Sequence, residues 1–161
     1  NIWNRNVAYF NDNLVPTDRP AWDRLYQGYA AFYRVETDAE KRDRLFAWLL
    51  DPAHVCEALV AEEAGEIIGV AHFRAMPSPL RGAEVGFLDD LFVAPDHRGG
   101  GGGEALLRAL DDVAAARHWP VMRWITRDNN YRARGLYDRV ATRSDWLTYE
   151  MTAASTGRSV A

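Results

Sequence analysis

The chain has 161 residues, 48% of them hydrophobic, with six Trp and a formal net charge of −4. That length suits one domain with a real core and is too short for two ordinary ones, and the apolar share excludes a disordered chain. The negative balance argues against a broad electrostatic footprint for nucleic acid while tolerating a cationic substrate.

Cys56 is the only cysteine, which excludes an intramolecular disulfide and a cysteine metal cluster, and the four His show no metal-ligand spacing. The expectations are therefore no metal and a reducing, cytoplasmic setting. No stretch approaches the length of a membrane span, and the N-terminus lacks the charged, apolar, small-residue order of a signal peptide, so no membrane partner is expected.

Residues 1–13 show no clear period and read as an irregular arm opening into a first strand near 13–15. Thr17 is placed to cap a helix with Asp18 and Pro20 in its first turn, and Trp22, Leu25, Tyr26, Tyr29, Phe32 and Tyr33 follow helical spacing. Thr37 or Asp38 starts a second helix, with Leu45, Phe46, Leu49 and Leu50 as its apolar face, ended by Asp51-Pro52. A hairpin of strands 57–62 and 67–73 follows, with Ala64-Gly65 in its turn, and a loop over 76–82 leads to a strand over 84–93.

Simple alternation on that strand puts Val85, Phe87, Asp89, Leu91 and Val93 on one face and Leu88, Asp90 and Phe92 on the other. Apolar residues on both faces mark a central strand. A helix after residue 103, a strand over 120–126, a short helix over 130–137 and a final strand over 145–151 complete the domain, 1–151, with a frayed tail over 152–161.

The central strand runs into Pro95, Arg98 and the unbroken run Gly99, Gly100, Gly101, Gly102 and Gly103, and a helix starts as the glycines end. Five glycines between two regular apolar elements make a poor flexible linker but a good place for close approach to backbone. Their N–H groups can converge at the positive end of the following helix, where an anion is favoured. Arg98 adds a forked positive charge suited to phosphate. No Lys-Ser or Lys-Thr follows, which excludes a Walker loop, and a Rossmann glycine loop would usually follow the first strand instead.

The spacing Arg98, Gly101, Gly103, after Leu91-Phe92-Val93-Ala94-Pro95, resembles the acetyl-CoA-binding motif of the GNAT N-acetyltransferases. The resemblance implies that the loop amides, including Glu104's, hold the coenzyme pyrophosphate and that the pantetheine arm lies along Leu91, Phe92 and Val93. Asn130, Ala133 and Leu136-Tyr137 resemble the family's second signature. There Asn130 would bind the coenzyme and Tyr137 would give a proton to the departing thiolate. The Gly-Phe commonly found after that Tyr is replaced here by Ala141-Thr142.

The implied fold is α/β, a mixed, mostly antiparallel central sheet of six or seven strands with helices on both faces. The implied activity is acetyl transfer from acetyl-CoA to a primary amine, on a small molecule or a peptide.

For a base, Asp89 matches the position of an acidic residue in polyamine acetyltransferases of the family, and Asp90 or a water are the other candidates. Burial of such a carboxylate is expected to raise its pKa. Tyr29, Tyr33 and Glu36 border the region where the family receives its acceptor, and Asp90 is placed with them. Aromatic faces with carboxylates suit an ammonium group, although Tyr29 and Tyr33 also fit a helix's core face.

His72 reads either as a cleft residue or as a hydrogen-bonded sheet residue, and nothing activates Cys56 as an acyl carrier, which favours direct transfer in a ternary complex. The N-terminal half resembles the histone and polyamine acetyltransferase branch. A homodimer is the expectation from relatives of this kind, with residues 146–151 as its edge. The rival reading is a non-catalytic acyl-CoA-binding regulator of the same fold.

Overall fold

A computed structural model describes residues 14–153. The expected arm over 1–13 and most of the expected tail lie outside the described residues. The helix α1, Arg19–Phe32, is entered through a single helical turn, Pro16–Asp18, so its N-cap is Asp18 rather than Thr17. Asp18 accepts from the Val15 N–H at 2.9 Å, and Leu14 and Val15 form no strand. In α2, Ala39–Leu50, Asp38 caps as expected, its carboxylate accepting from the Lys41 N–H at 2.8 Å.

The sheet has the order β1-β2-β3-β4, comprising β1, Cys56–Glu63, β2, Glu66–Ser78, β3, Ala83–Val93, and β4, Met122–Trp124. The first three pair antiparallel, and β4 runs parallel to β3 after the crossover helix α3, Gly102–Ala116. The helix α4, Tyr131–Val140, follows β4. The strand β2 continues through Met76 to Ser78, where a loop was expected, because these residues pair with Val85, Glu84 and Ala83.

The sheet is mixed and mostly antiparallel, with helices on both faces, but the described residues contain four strands rather than six or seven. The expected strand over 145–151 is not found: among the described residues that segment joins no sheet, and Trp146, Leu147, Tyr149 and Met151 are exposed. The edge offered by β4 is only three residues long.

Two cores sandwich the sheet. Leu106, Leu107 and Leu110 of α3 pack with Leu59, Ile68, Phe73 and Leu88 on one face. On the other, Trp22 and Leu25 of α1 and Phe46 of α2 pack with Val60, Val70 and Phe92. Leu88 and Phe92 thus lie on opposite faces, contrary to simple alternation. The cause is a slip in the β2–β3 register: His72 stands opposite Asp90 and Phe73 opposite Leu88, so Asp89 has no partner. One extra residue in a strand turns everything beyond it to the other face.

Candidate active site

After β3 the chain makes one helical turn, Pro95–His97, and reaches Arg98 and the glycines. Gly99 and Gly101 have φ of 81° and 96°, a left-handed region that costs an L side chain about 1–2 kcal/mol. Gly101 is the N-cap of α3, and no side chain caps that end. The first N–H groups of α3, from Gly102, Gly103 and Glu104, are therefore free for an anion. Gly103 is also a packing position, where an added Cβ would stand 3.2 Å from Leu136 of α4. The Glu104 carboxylate turns along the helix to Arg108, at 2.9 Å, so only its N–H remains at the loop.

Arg98 donates from Nε to the Val93 carbonyl at 3.2 Å, and its guanidinium lies over the rings of Phe92 and Phe32, at 5.1 and 5.7 Å. Burial lowers its pKa, and the nearby charge of Arg132 lowers it further. Neither arginine has a carboxylate partner among the described residues. Two unpaired cations beside an uncapped helix N-terminus fit a pyrophosphate or phosphate group. Arg132 was not singled out in the sequence, although it lies two residues after Asn130 in the second signature.

Leu91, Phe92 and Val93 border an open edge. The strands β3 and β4 pair only from Gly86 with Met122 to Leu88 with Trp124, after which the chain leaves β4 for α4. The edge of β3 from 89 to 93 on that side therefore carries backbone groups available to a ligand. The side chains serve packing: Phe92 is buried against the α1 core, Leu91 packs against the α3 core, and Val93 touches Gly102.

Asn130 and Tyr137 lie across this opening. The Asn130 amide donates to Thr126 Oγ1 at 3.1 Å and to the Tyr33 hydroxyl at 3.4 Å. Tyr137 packs edge-on to Trp124 with ring centroids 5.4 Å apart. Burial, aided by neighbouring Tyr33, pushes its phenol up to about 12, so it is protonated throughout the physiological range. A cavity of about 550 Å³ is lined by Trp124, Arg127, Tyr137, Arg143 and Trp146.

The two aspartates of β3 have different company. Asp89, the extra residue, is held by Arg74 Nε at 3.0 and 3.3 Å, both side chains about one-third exposed. Asp90 accepts from His72 at 2.8 Å, and the Tyr29 hydroxyl interacts with the same carboxylate. Burial pushes the Asp90 carboxyl up, but His72 and Tyr29 outweigh it and hold its pKa below the ordinary range. The expected upward shift is therefore reversed for this carboxylate, because it gains donors as it loses water.

The Tyr29 ring contacts Tyr33 at 4.8 Å, and burial followed by Asp90 raises its phenol pKa strongly. The structure thus brings Asp90, Tyr29, Tyr33, Asn130 and Tyr137 into one connected group. Glu36 is exposed outside it, and Asp89 is engaged by Arg74. Among the described residues no cluster of His, Cys, Asp and Glu is arranged to hold a metal, and no helix is long and apolar enough to cross a membrane.

The glycine loop leads into an uncapped helix, as the sequence motifs implied, and the pattern of the acetyltransferase (GNAT) family matches residues 22–141. The chain belongs to the GNAT acetyltransferase family. The D-amino-acid N-acetyltransferase HPA3 of Saccharomyces cerevisiae is 30% identical over 147 residues, covering 87% of this chain and 91% of that protein. The uncharacterized N-acetyltransferase YhfO of Bacillus subtilis is 32% identical over 123 residues, covering 76% and 82%.

Among solved structures, the ribosomal-protein-alanine N-acetyltransferase from Brucella melitensis biovar Abortus superposes with a TM-score of 0.72 at 28% identity, covering 87% of this chain and 95% of that one. This GNAT chain is accordingly an acyltransferase, and GNAT acetyltransferases use acetyl-CoA. The likeness to a yeast acetyltransferase does not single out the histone and polyamine branch.

Proposed function

We propose that this GNAT protein transfers acetyl from acetyl-CoA to a cationic primary amine, directly, in a ternary complex. The carrying observation is the continuous link from Asp90 through Tyr29 and Tyr33 to Asn130 and Tyr137, which joins an acceptor-side negative charge to the coenzyme side.

Acetyl-CoA supplies an acetyl group activated as a thioester. The amides of residues 101–104, with Arg98 and Arg132, hold its phosphates, and the open edge of β3 from Leu91 to Val93 holds the arm and aims backbone N–H groups at the thioester oxygen. Asp90 pairs with the acceptor's ammonium group beside the faces of Tyr29 and Tyr33. A carboxylate held below its ordinary pKa stays ionised, so Asp90 attracts charge rather than storing the proton, which leaves to water. The amine nitrogen then bonds to the acetyl carbon as the carbon–sulfur bond breaks, Tyr137 gives its proton to the departing sulfur, and the proton shed by the new amide nitrogen restores the phenol.

The balance is ammonium plus thioester giving amide, free thiol and one released proton. This reading moves the acceptor-side charge from Asp89 to Asp90. It leaves Cys56 out: burial, then Asp89, raises that thiol's pKa, opposite to the need of a nucleophilic thiolate.

The test is release of CoA thiol from acetyl-CoA against polyamines, lysine-bearing peptides, aminoglycosides and amino acids of both hands. The likeness to a D-amino-acid N-acetyltransferase puts the last class in the panel. Turnover with a cationic amine supports the proposal. Tight coenzyme binding without turnover on any amine would instead favour an acyl-CoA-binding regulator.

A further inference from the structure

The face of the sheet under α1 carries a buried polar chain that coenzyme binding does not use. His72, 3% exposed, has both ring nitrogens engaged: Nε2 lies 2.9 Å from the Trp22 indole nitrogen and Nδ1 lies 2.8 Å from Asp90. An indole N–H can only donate, so His72 Nε2 must accept and carry no proton. The single ring proton therefore sits on Nδ1 and is donated to Asp90. A second proton would set two N–H groups against each other inside a packed aromatic cluster of Trp22, Tyr26 and Phe46, where burial makes an unpaired N–H costly.

We propose that Trp22 locks His72 in its neutral Nδ1–H form, and that His72, as a positioning residue, thereby presents Asp90 as an uncompensated anion for the acceptor's ammonium group. This rests on the acetyl-transfer reading above. An ordinary His–Asp pair becomes imidazolium and carboxylate as pH falls, and its charges cancel. The lock prevents that cancellation.

The other groups facing the pair leave the charge standing. From α1 come Tyr26 and Tyr29, whose phenols are neutral, and from β1 comes Cys56. On β2 and β3, Arg74 and Asp89 satisfy each other, and α2 contributes only the Phe46 ring against Trp22. The acceptor class that follows is an amine bound as its cation.

Nitrogen-15 NMR of the histidines tests the lock without any need for turnover. His72 should show a bare Nε2 and a protonated Nδ1 at neutral pH, and a protonated Nε2 would overturn the lock. The consequence for the acceptor is read from KM. In the parent protein, KM for the amine should change less than about twofold between pH 6 and 8, whereas Trp22→Phe, which frees Nε2, should raise it about fivefold at pH 6 relative to pH 8.

His72→Asn keeps a donor toward Asp90 and cannot titrate, so its KM should stay within about threefold and flat with pH. His72→Leu should raise KM about tenfold with kcat little changed. Equal KM in the Asn and Leu variants would overturn the positioning role. Absence of acetylation with the bare-Nε2 tautomer intact would sink the transfer reading, and with it the ammonium seat, while leaving the tautomer lock itself established.

Discussion

The Asn130 amide donates to the Tyr33 hydroxyl at 3.4 Å, joining side chains 97 positions apart in the chain. This contact ties the end of α1, on the acceptor side, to the entrance of α4, on the coenzyme side. It is long for a hydrogen bond, so the Tyr33 hydroxyl is worth little by itself. Asn130 has a second partner in Thr126, and its loss would loosen both. Tyr33→Phe should lower stability by less than about 1 kcal/mol in urea unfolding, while Asn130→Ala should raise KM for acetyl-CoA about tenfold. Equal effects of the two changes on that KM would refute the assignment of Asn130 to the coenzyme.

Tyr137 should separate binding from turnover. Tyr137→Phe keeps the packing on Trp124 and removes the proton donor, so kcat should fall by about 10²-fold or more with coenzyme affinity unchanged. Stopped assays and calorimetric CoA titration measure the two. The buried phenol has an alkaline signature as well. A group raised from 10 to about 12 contributes stability that is complete below pH 10 and lost as pH climbs toward 12, and the Phe variant should lack that loss.

The paired aspartates offer a discrimination within one dipeptide. Asp90→Asn should lower kcat/KM for the amine by about 10²-fold, because the acceptor-side charge is gone. Asp89→Asn should stay within about threefold, since Asp89 is held by the partly exposed Arg74 and not by His72 or Tyr29. The reverse ranking would restore Asp89 as the acceptor-side carboxylate.

How far the sequence reached is visible in these same residues. The glycine run, Arg98, Asn130 and Tyr137 could be singled out because each stands in one short stretch of recognisable spacing, and Gly99 and Gly101 do take the positive φ that glycine permits. The sheet faces were not. Alternation is reliable only while the register holds, and the slip at Asp89 depends on how β2 meets β3, which no single strand's sequence reveals.

Arg132 and the link from Trp22 to His72 were missed for a related reason. Their significance lies in a partner on another element, 50 positions away for Trp22 and His72. The strand expected over 145–151 has the right side chains for pairing, but composition states a capacity to pair and not the presence of an edge long enough to accept it.

The glycine loop should respond unevenly to substitution. Gly101→Ala forces a side chain into φ of 96° at the N-cap of α3, which should cost about 1–2 kcal/mol and raise KM for acetyl-CoA. Gly102 sits at ordinary contact distance from Val93, with its nearest added-Cβ neighbour at 3.5 Å, so Gly102→Ala should be much milder in thermal unfolding. If the two cost the same, backbone conformation is not what the loop requires of its glycines.

Asp90 also sets the acid limit of the fold. Its pKa in the folded protein lies below the unfolded value near 3.9, so its contribution is complete above about pH 5. It is lost as pH falls through 3.9 toward the folded value, because the unfolded chain then takes up a proton that the native carboxylate resists. His72 first and then the Tyr29 hydroxyl make the difference, a contribution of roughly 1–3 kcal/mol for hydrogen bonds to a charged group. Urea unfolding of the parent and Asp90→Asn proteins from pH 3 to 7 measures it. The stability gap should be constant between pH 5 and 7 and should narrow below pH 4, and a gap that widens with acid would mean that burial, not its donors, governs this carboxylate.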